Sequence, residues 1–196
     1  RAFDNISIPK EGLATLNLSD GSLIRIAPET QLVIKQISYA DQLLKRAQFT
    51  LLEGQVWGNV SSLEAQAAFE VETPTIVAAV RGTRFSVGYR EARSRVFVAE
   101  DEVAVARLSH PDDFKTVQAN QFFVLNDATL DADFEAGPQP ADSSIFTNDW
   151  IKFNQLEDGF TDWPPAPDVS SPTPEPTTAK PKVKPKVAPS TLPAVK

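Results

Sequence analysis

The sequence predicts an all-β protein. It reads as a two-layer antiparallel β-sandwich or a solenoid-like double sheet of about a dozen short strands, with one C-terminal helix and a disordered tail. Three observations carry this. Apolar and polar residues alternate through much of residues 11–125, turn-forming residues punctuate that stretch, and proline crowds the end of the chain.

Alternation means strand because successive side chains point to opposite faces, one toward a core and one toward water. It is clear in Phe69-Glu70-Val71-Glu72, in Arg84-Phe85-Ser86-Val87-Gly88-Tyr89 and in Glu102-Val103-Ala104-Val105-Ala106. Leu23-Ile24-Arg25-Ile26 and Gln121-Phe122-Phe123-Val124-Leu125 are apolar on both faces and are expected centrally or between layers. Asp20-Gly21 is the strongest hairpin signal, set between Leu16-Asn17-Leu18 and Leu23. Glu53-Gly54 reads as a second turn, separating Phe49-Thr50-Leu51-Leu52 from Gln55-Val56-Trp57. Pro74 ends a strand, because proline cannot donate to a ladder. One helix is expected near 143–157, where Phe146, Trp150 and Phe153 recur at helical spacing. Asp142 or Ser143 caps its start, Gly159 ends it in a left-handed conformation, and its aromatic face docks on the sheet.

Composition divides the chain into a β domain over 1–140, a packing helix and connector over 141–163, and a Pro/Lys/Thr-rich tail over 164–196. The tail holds ten prolines, and its only large apolar residues are Val169, Val183, Val187, Leu192 and Val195. It cannot bury enough surface to offset its ordering entropy, and its proline steps favour an extended spacer. Its five lysines face Asp168 and Glu175, a net of +3, which leaves −10 on the rest of a chain whose total is −7.

That acidity, with a pI near 4.8, argues against nucleic-acid partners, which need a basic footprint. No stretch approaches the roughly 20 apolar residues that span a bilayer. Cysteine is absent, so disulfides and thiolate metal sites are excluded. Methionine is absent even at position 1, so Arg1 reads as a processed or trimmed start, and a leader or anchor would lie upstream.

Little in the sequence suggests catalysis. The single histidine, His110, lies beside Pro111, Asp112 and Asp113 and reads as an exposed loop residue. One histidine cannot build an ordinary zinc site, and no phosphate-binding glycine loop is present. Asn126, Asp127, Asp131, Asp133 and Glu135 read as a solvated acidic loop. Its Asp127, Asp131 and Asp133 are the candidate calcium ligands, but the glycine position of an EF-hand would fall on Ala136. No cofactor and no catalytic residue is assigned.

The most informative segment runs from Phe69 to Val87 and contains Thr73-Pro74, Val80-Arg81-Gly82-Thr83 and Phe85. Physically it is strand, proline turn, strand, tight turn, strand. The small side chains of Ile76 to Val80 let sheets approach closely. Gly82 supplies a backbone conformation that other residues resist. Arg81, between apolar runs, is expected to be buried and held by carboxylates or carbonyls, since an unpaired buried charge is costly.

This pattern resembles that of the FecR domain family. Two further blocks match: Asp20-Gly21-Ser22, then Arg25, Pro28 and Thr30, and then Leu52, Gly54 and Trp57. The resemblance covers roughly residues 11–125, and the family pattern begins earlier, with a strand not evident here before Ile6. Asp101 and Asn120 stand where the family tends to have glycine, and both tolerate left-handed turns. The resemblance implies an extracytoplasmic, non-enzymatic domain that is tethered to membrane or wall and binds a protein partner. In iron-transport regulators of the family it relays a signal from an outer-membrane receptor to a cytoplasmic sigma factor. A sensory role in such a regulator is therefore the alternative to a surface scaffold. A carbohydrate-binding module is a third, needing an aromatic groove for which Trp57, Trp150 and Trp163 are candidates; the first two are expected in the core. Thr73, Pro74, Val80, Arg81, Gly82, Thr83 and Phe85 are expected to build the fold.

Overall fold

The computed structural model describes residues 4–159 apart from 42, 62, 65, 143 and 145–147. The expected tail, Ser143, Phe146 and Trp163 lie outside the described residues.

In chain order the first strands are β1 (Asp4–Ile8), β2 (Ala14–Asn17), β3 (Leu23–Ile26), β4 (Thr30–Ala40), β5 (Leu43–Asn59), β6 (Ala68–Glu72) and β7 (Ile76–Val80). They are followed by β8 (Arg84–Arg90), β9 (Arg93–Glu100), β10 (Glu102–Arg107), β11 (His110–Gln118) and β12 (Gln121–Asn126). A 3₁₀ turn over Asp127–Thr129 leads into helix α1 (Leu130–Ala136), then β13 (Gln139–Pro140) and helix α2 (Asp149–Glu157). β1 includes residues before Ile6, where the sequence gives no clear strand signal.

The strands form two layers joined through β5. One layer runs β1-β4-β5-β6-β7-β10-β11, the other β2-β3-β5-β8-β9-β12-β13. Every pairing is antiparallel except β5 with β6. The expected turn at Glu53-Gly54 is instead a bend inside a single 17-residue strand. The first part of β5 pairs with β4 and β6, the last part with β3 and β8.

Gly54 makes that bend possible. Its φ is +97°, and a β-carbon there would lie 2.2 Å from Thr30 Oγ1 and 2.6 Å from Thr30 Cα. Thr30 is fully buried, and its hydroxyl oxygen accepts from the Gln55 N–H at 3.1 Å. Two blocks of the sequence pattern thus meet at one joint.

The main core fills the space between layers. Phe49, Leu51, Phe69, Ala78, Val80 and Val105 come from the first layer, and Ile24, Val56, Phe85, Val87, Val98 and Phe123 from the second. The alternation visible in the sequence delivers these residues to one side of each sheet. A smaller cluster of Trp57, Phe97, Ala141 and Ile151 lies on the outer face of the second layer, beneath α2.

Candidate functional site

The 69–87 segment resolves into closures of the chain. Thr73, 1% exposed, accepts from the Ile76 N–H at 3.2 Å, and its hydroxyl lies 2.7 Å from that of Ser94. Its backbone N–H donates to the Ile76 carbonyl at 2.9 Å, so Thr73 and exposed Pro74 form the β6–β7 hairpin turn. Val80 and Phe85 are core residues. Gly82 has φ +79° and lets the chain leave β7 and enter β8. Thr83 is buried, its hydroxyl donates to the Glu102 carbonyl at 3.0 Å, and its carbonyl accepts from Val60.

Arg81 departs from expectation. It is exposed, not buried, and its Nη2 donates to the Glu64 carbonyl at 3.5 Å. The reason is its place: β7 ends at Val80, so Arg81 lies beyond the ladder. With Gly82, Asp101, Glu102, Gln118 and Ala119 it lines an open hollow of about 570 Å³ at the strand ends. Asp101 and Asn120 both turn with positive φ, +63° and +61°.

The buried guanidinium of the pattern is Arg25, at 8% exposure. Directly opposed residues form one row across the second layer: Arg25 against Trp57, Trp57 against Ser86, Ser86 against Phe97, and Phe97 against Phe122. All point outward, away from the main core, and α2 lies over the row. Asp158, just past α2, has a side chain 1% exposed. It pairs with Arg25 Nη1 at 2.7 Å and accepts from Trp57 Nε1 at 2.8 Å. Arg84 Nε stands 4.0 Å from the oxygen that accepts from Trp57, and Arg84 Nη1 reaches Glu100 at 2.7 Å. Arg25 donates to Asn154 Oδ1 at 3.3 Å, and Asn154 Nδ2 donates to the Trp150 carbonyl at 2.8 Å.

The helix docks by a different face from the one the spacing predicts. Its buried residues are Ile151, Asn154 and Gln155, whereas Phe153 is 37% exposed and stacks on a half-buried Trp150 with ring centroids 6.0 Å apart. The sheet beneath offers a cation and an indole N–H, and these select carboxylate and amide. Asn148 caps the helix start, accepting from Trp150 and Ile151, and Gly159 follows its end with φ +80°. Trp57 is fully buried; Trp150 lies at the edge of the outer cluster.

The acidic stretch is not a loop. Leu130 and Phe134 mark the apolar face of α1, and Phe134 packs 5.9 Å from Phe123. The candidate calcium ligands are not brought together. Asp127 accepts from Tyr89 at 2.7 Å, Asp131 pairs with Arg107 at 2.6 Å, and Asp133 accepts from the Asn126 backbone and side chain, each at 2.7 Å. The Asn126 N–H holds the Asp133 carboxyl below the usual carboxylate range. The Asp127 hydrogen bond, with burial, pushes the Tyr89 phenol up to about 12. Arg107, also paired with Asp113, sits 4.4 Å above the Phe134 ring. Among the described residues no group of three or more potential metal ligands converges. His110 is exposed but opens β11 as its first residue, 2.9 Å from Ser109 Oγ.

Sequence reasoning missed Asn154 and Asp158, whose i, i+4 spacing at the end of the predicted helix was the available signal. It also missed Arg107, which carried no signal beyond ending an alternating run.

The FecR protein family model matches residues 4–104. A search of curated proteins finds no match. Among solved structures, two crystal structures of a candidate anti-sigma factor from Parabacteroides distasonis are similar, at 1.65 and 2.50 Å resolution. Their TM-scores are 0.57 and 0.58, each at 20% identity. Each match covers 74% of this chain and 63% of that protein, so this chain spans under two thirds of its length. No helix among the described residues is long and apolar enough to cross a membrane.

Proposed function

This chain belongs to the FecR protein family, and from that membership we propose that it is a non-enzymatic, extracytoplasmic protein-interaction domain serving as the sensory part of a sigma-factor regulator. The fold it shares with a candidate anti-sigma factor supports the regulatory reading over that of a surface scaffold. In this reading residues 1–140 are the sensing body, 141–163 the connector, and 164–196 a spacer to the rest of a tethered protein.

The observation that carries it is the Arg81 corner. Arg81 is the one charged residue among the seven pattern positions, and it faces solvent on the rim of a polar hollow while Thr73, Val80, Thr83 and Phe85 are buried. A charge that closes no core is suited to a partner's carboxylate or carbonyl.

The test is genetic. In the source organism, transcripts are compared between wild type, an in-frame deletion of residues 4–140, and Arg81→Ala in the full-length protein. The expected result is one shared set of changed transcripts in both mutants at unchanged protein level. An unchanged transcriptome in the deletion strain would refute the regulatory role. A changed one with Arg81→Ala silent would refute the assignment of the corner.

A further inference from the structure

The fold closes without α2. The two layers share β5, and the main core between them contains no residue of that helix. What fastens the helix is a separate, smaller contact with an apolar and a polar part. Its apolar part is Ile151 with Trp57, Phe97 and Ala141, with Phe122 and Trp150 packed at the edge. Its polar part is the Asp158 carboxylate on Arg25 and Trp57, with Asn154 beside it.

That contact is also imperfectly satisfied. Trp150 Nε1 and Gln155 Oε1 are buried without a hydrogen-bond partner among the described residues. Burying a polar atom without a partner opposes docking. The hydration of Arg25 and Asp158 is likewise recovered when they separate, so the intact pair adds little net hold, whereas removing Asp158 alone leaves Arg25 buried and uncompensated and loosens the helix.

We propose that α2 is a releasable latch. Asp158 locks it across the Arg25–Trp57 end of the cross-strand row. Opening exposes Trp57, Phe97 and Phe122 as a fresh apolar face. The lock engages β3 and β5, the strands that carry two blocks of the sequence pattern, so an event on the C-terminal stretch is felt at the centre of the second layer. A small contact outside the main core is the kind of element that opens below the global unfolding free energy. The inference stands whether or not the chain regulates transcription.

The test uses the full 196-residue chain and native-state hydrogen exchange followed by NMR. In the wild type, the Trp57 indole N–H and the amides of residues 152–158 should exchange through a shared opening. That opening should be roughly a hundredfold or more frequent than the one exposing β6, β7 and β10. Asp158→Ala should speed exchange at those helix and indole positions roughly tenfold or more and leave the β6, β7 and β10 amides as they were. Equal protection of α2 and the strands in the wild type would overturn the proposal, and that measurement needs no variant to fold. So would a variant in which helix and strands loosen together, or one in which the Trp57 indole keeps its wild-type rate.

Discussion

Gly54→Ala tests the account of how one strand serves two sheets. At φ +97° any β-carbon meets left-handed strain, about 1–2 kcal/mol. Here it also overlaps Thr30, at 2.2 Å from Oγ1 and 2.6 Å from Cα. The second contact is with backbone, so no rotamer relieves it, and overpacking of this kind adds about 1–3 kcal/mol. Together about 2–5 kcal/mol is lost, a large share of the roughly 5–15 kcal/mol that domains possess. Each kcal/mol moves the midpoint of a domain this size by about 2–4 °C, so a drop on the order of 10 °C is expected. Gly21→Ala is the control: its φ is +88°, and among the described residues its β-carbon would meet only Ser61 Oγ, at 3.4 Å. Thermal and urea unfolding of both variants, alone and with Thr30→Ala, decide the matter. Equal losses for Gly54→Ala and Gly21→Ala would refute the Thr30 overlap. Full rescue by Thr30→Ala would refute the backbone part of it.

The two-residue β8–β9 turn places Glu91 at φ +54° and Ala92 at +55°, a geometry suited to Asn-Gly. Replacing the pair by Asn-Gly should raise stability by about 1–2 kcal/mol in urea melts, and no gain would contradict the strain. Because the Tyr89 phenol is raised from 10.0 to about 12, the folded state keeps a proton that the unfolded chain loses first. The stability this contributes is complete below pH about 10 and is lost as pH rises toward about 12. Urea midpoints measured across that range should fall less in Tyr89→Phe than in wild type, and parallel curves would exclude Tyr89 as the cause. Arg81→Ala should change stability by less than about 0.5 kcal/mol, as exposed sites do, while Gly82→Val at φ +79° should cost about 1–3 kcal/mol. A large loss in Arg81→Ala would mean that the corner is a folding element.

The strands were legible where polar and apolar residues alternate. Residues 69–72, 84–89 and 102–106 do so, and each lies within an observed strand, because successive side chains take opposite faces of a sheet. The reading failed where a local rule met a larger geometry. Glu53-Gly54 has turn chemistry, but the same positive φ that makes a turn also bends a strand that continues, and only the partner on each side decides which. Glu91-Ala92 turns with no turn residue at all, since β8 and β9 pair over seven registered positions and carry the strain. The acidic stretch hid a helix of seven residues whose apolar side is one buried phenylalanine.

The site was less legible than the fold, and the two arginines explain why. Apolar neighbours made Arg81 look buried, yet burial depends on what covers a side chain, and Arg81, one step past β7, lies beyond the registered ladder. Arg25 has similar neighbours but sits inside β3, with Ile24 and Ile26 turned to the core. Alternation sends Arg25 to the outer face, which would be wet but for α2, more than a hundred residues away in the chain. Arg25, Trp57, Ser86, Phe97 and Phe122 share no period, and they fall in line only through the registers of four strand pairs. Bulges in neighbouring pairs show that register here is a property of the assembled sheet. Helix residues that meet the Arg25 end of that row must be polar, as Asn154 and Asp158 are. A search of the helix for its most apolar face therefore turns it the wrong way, toward Trp150 and Phe153.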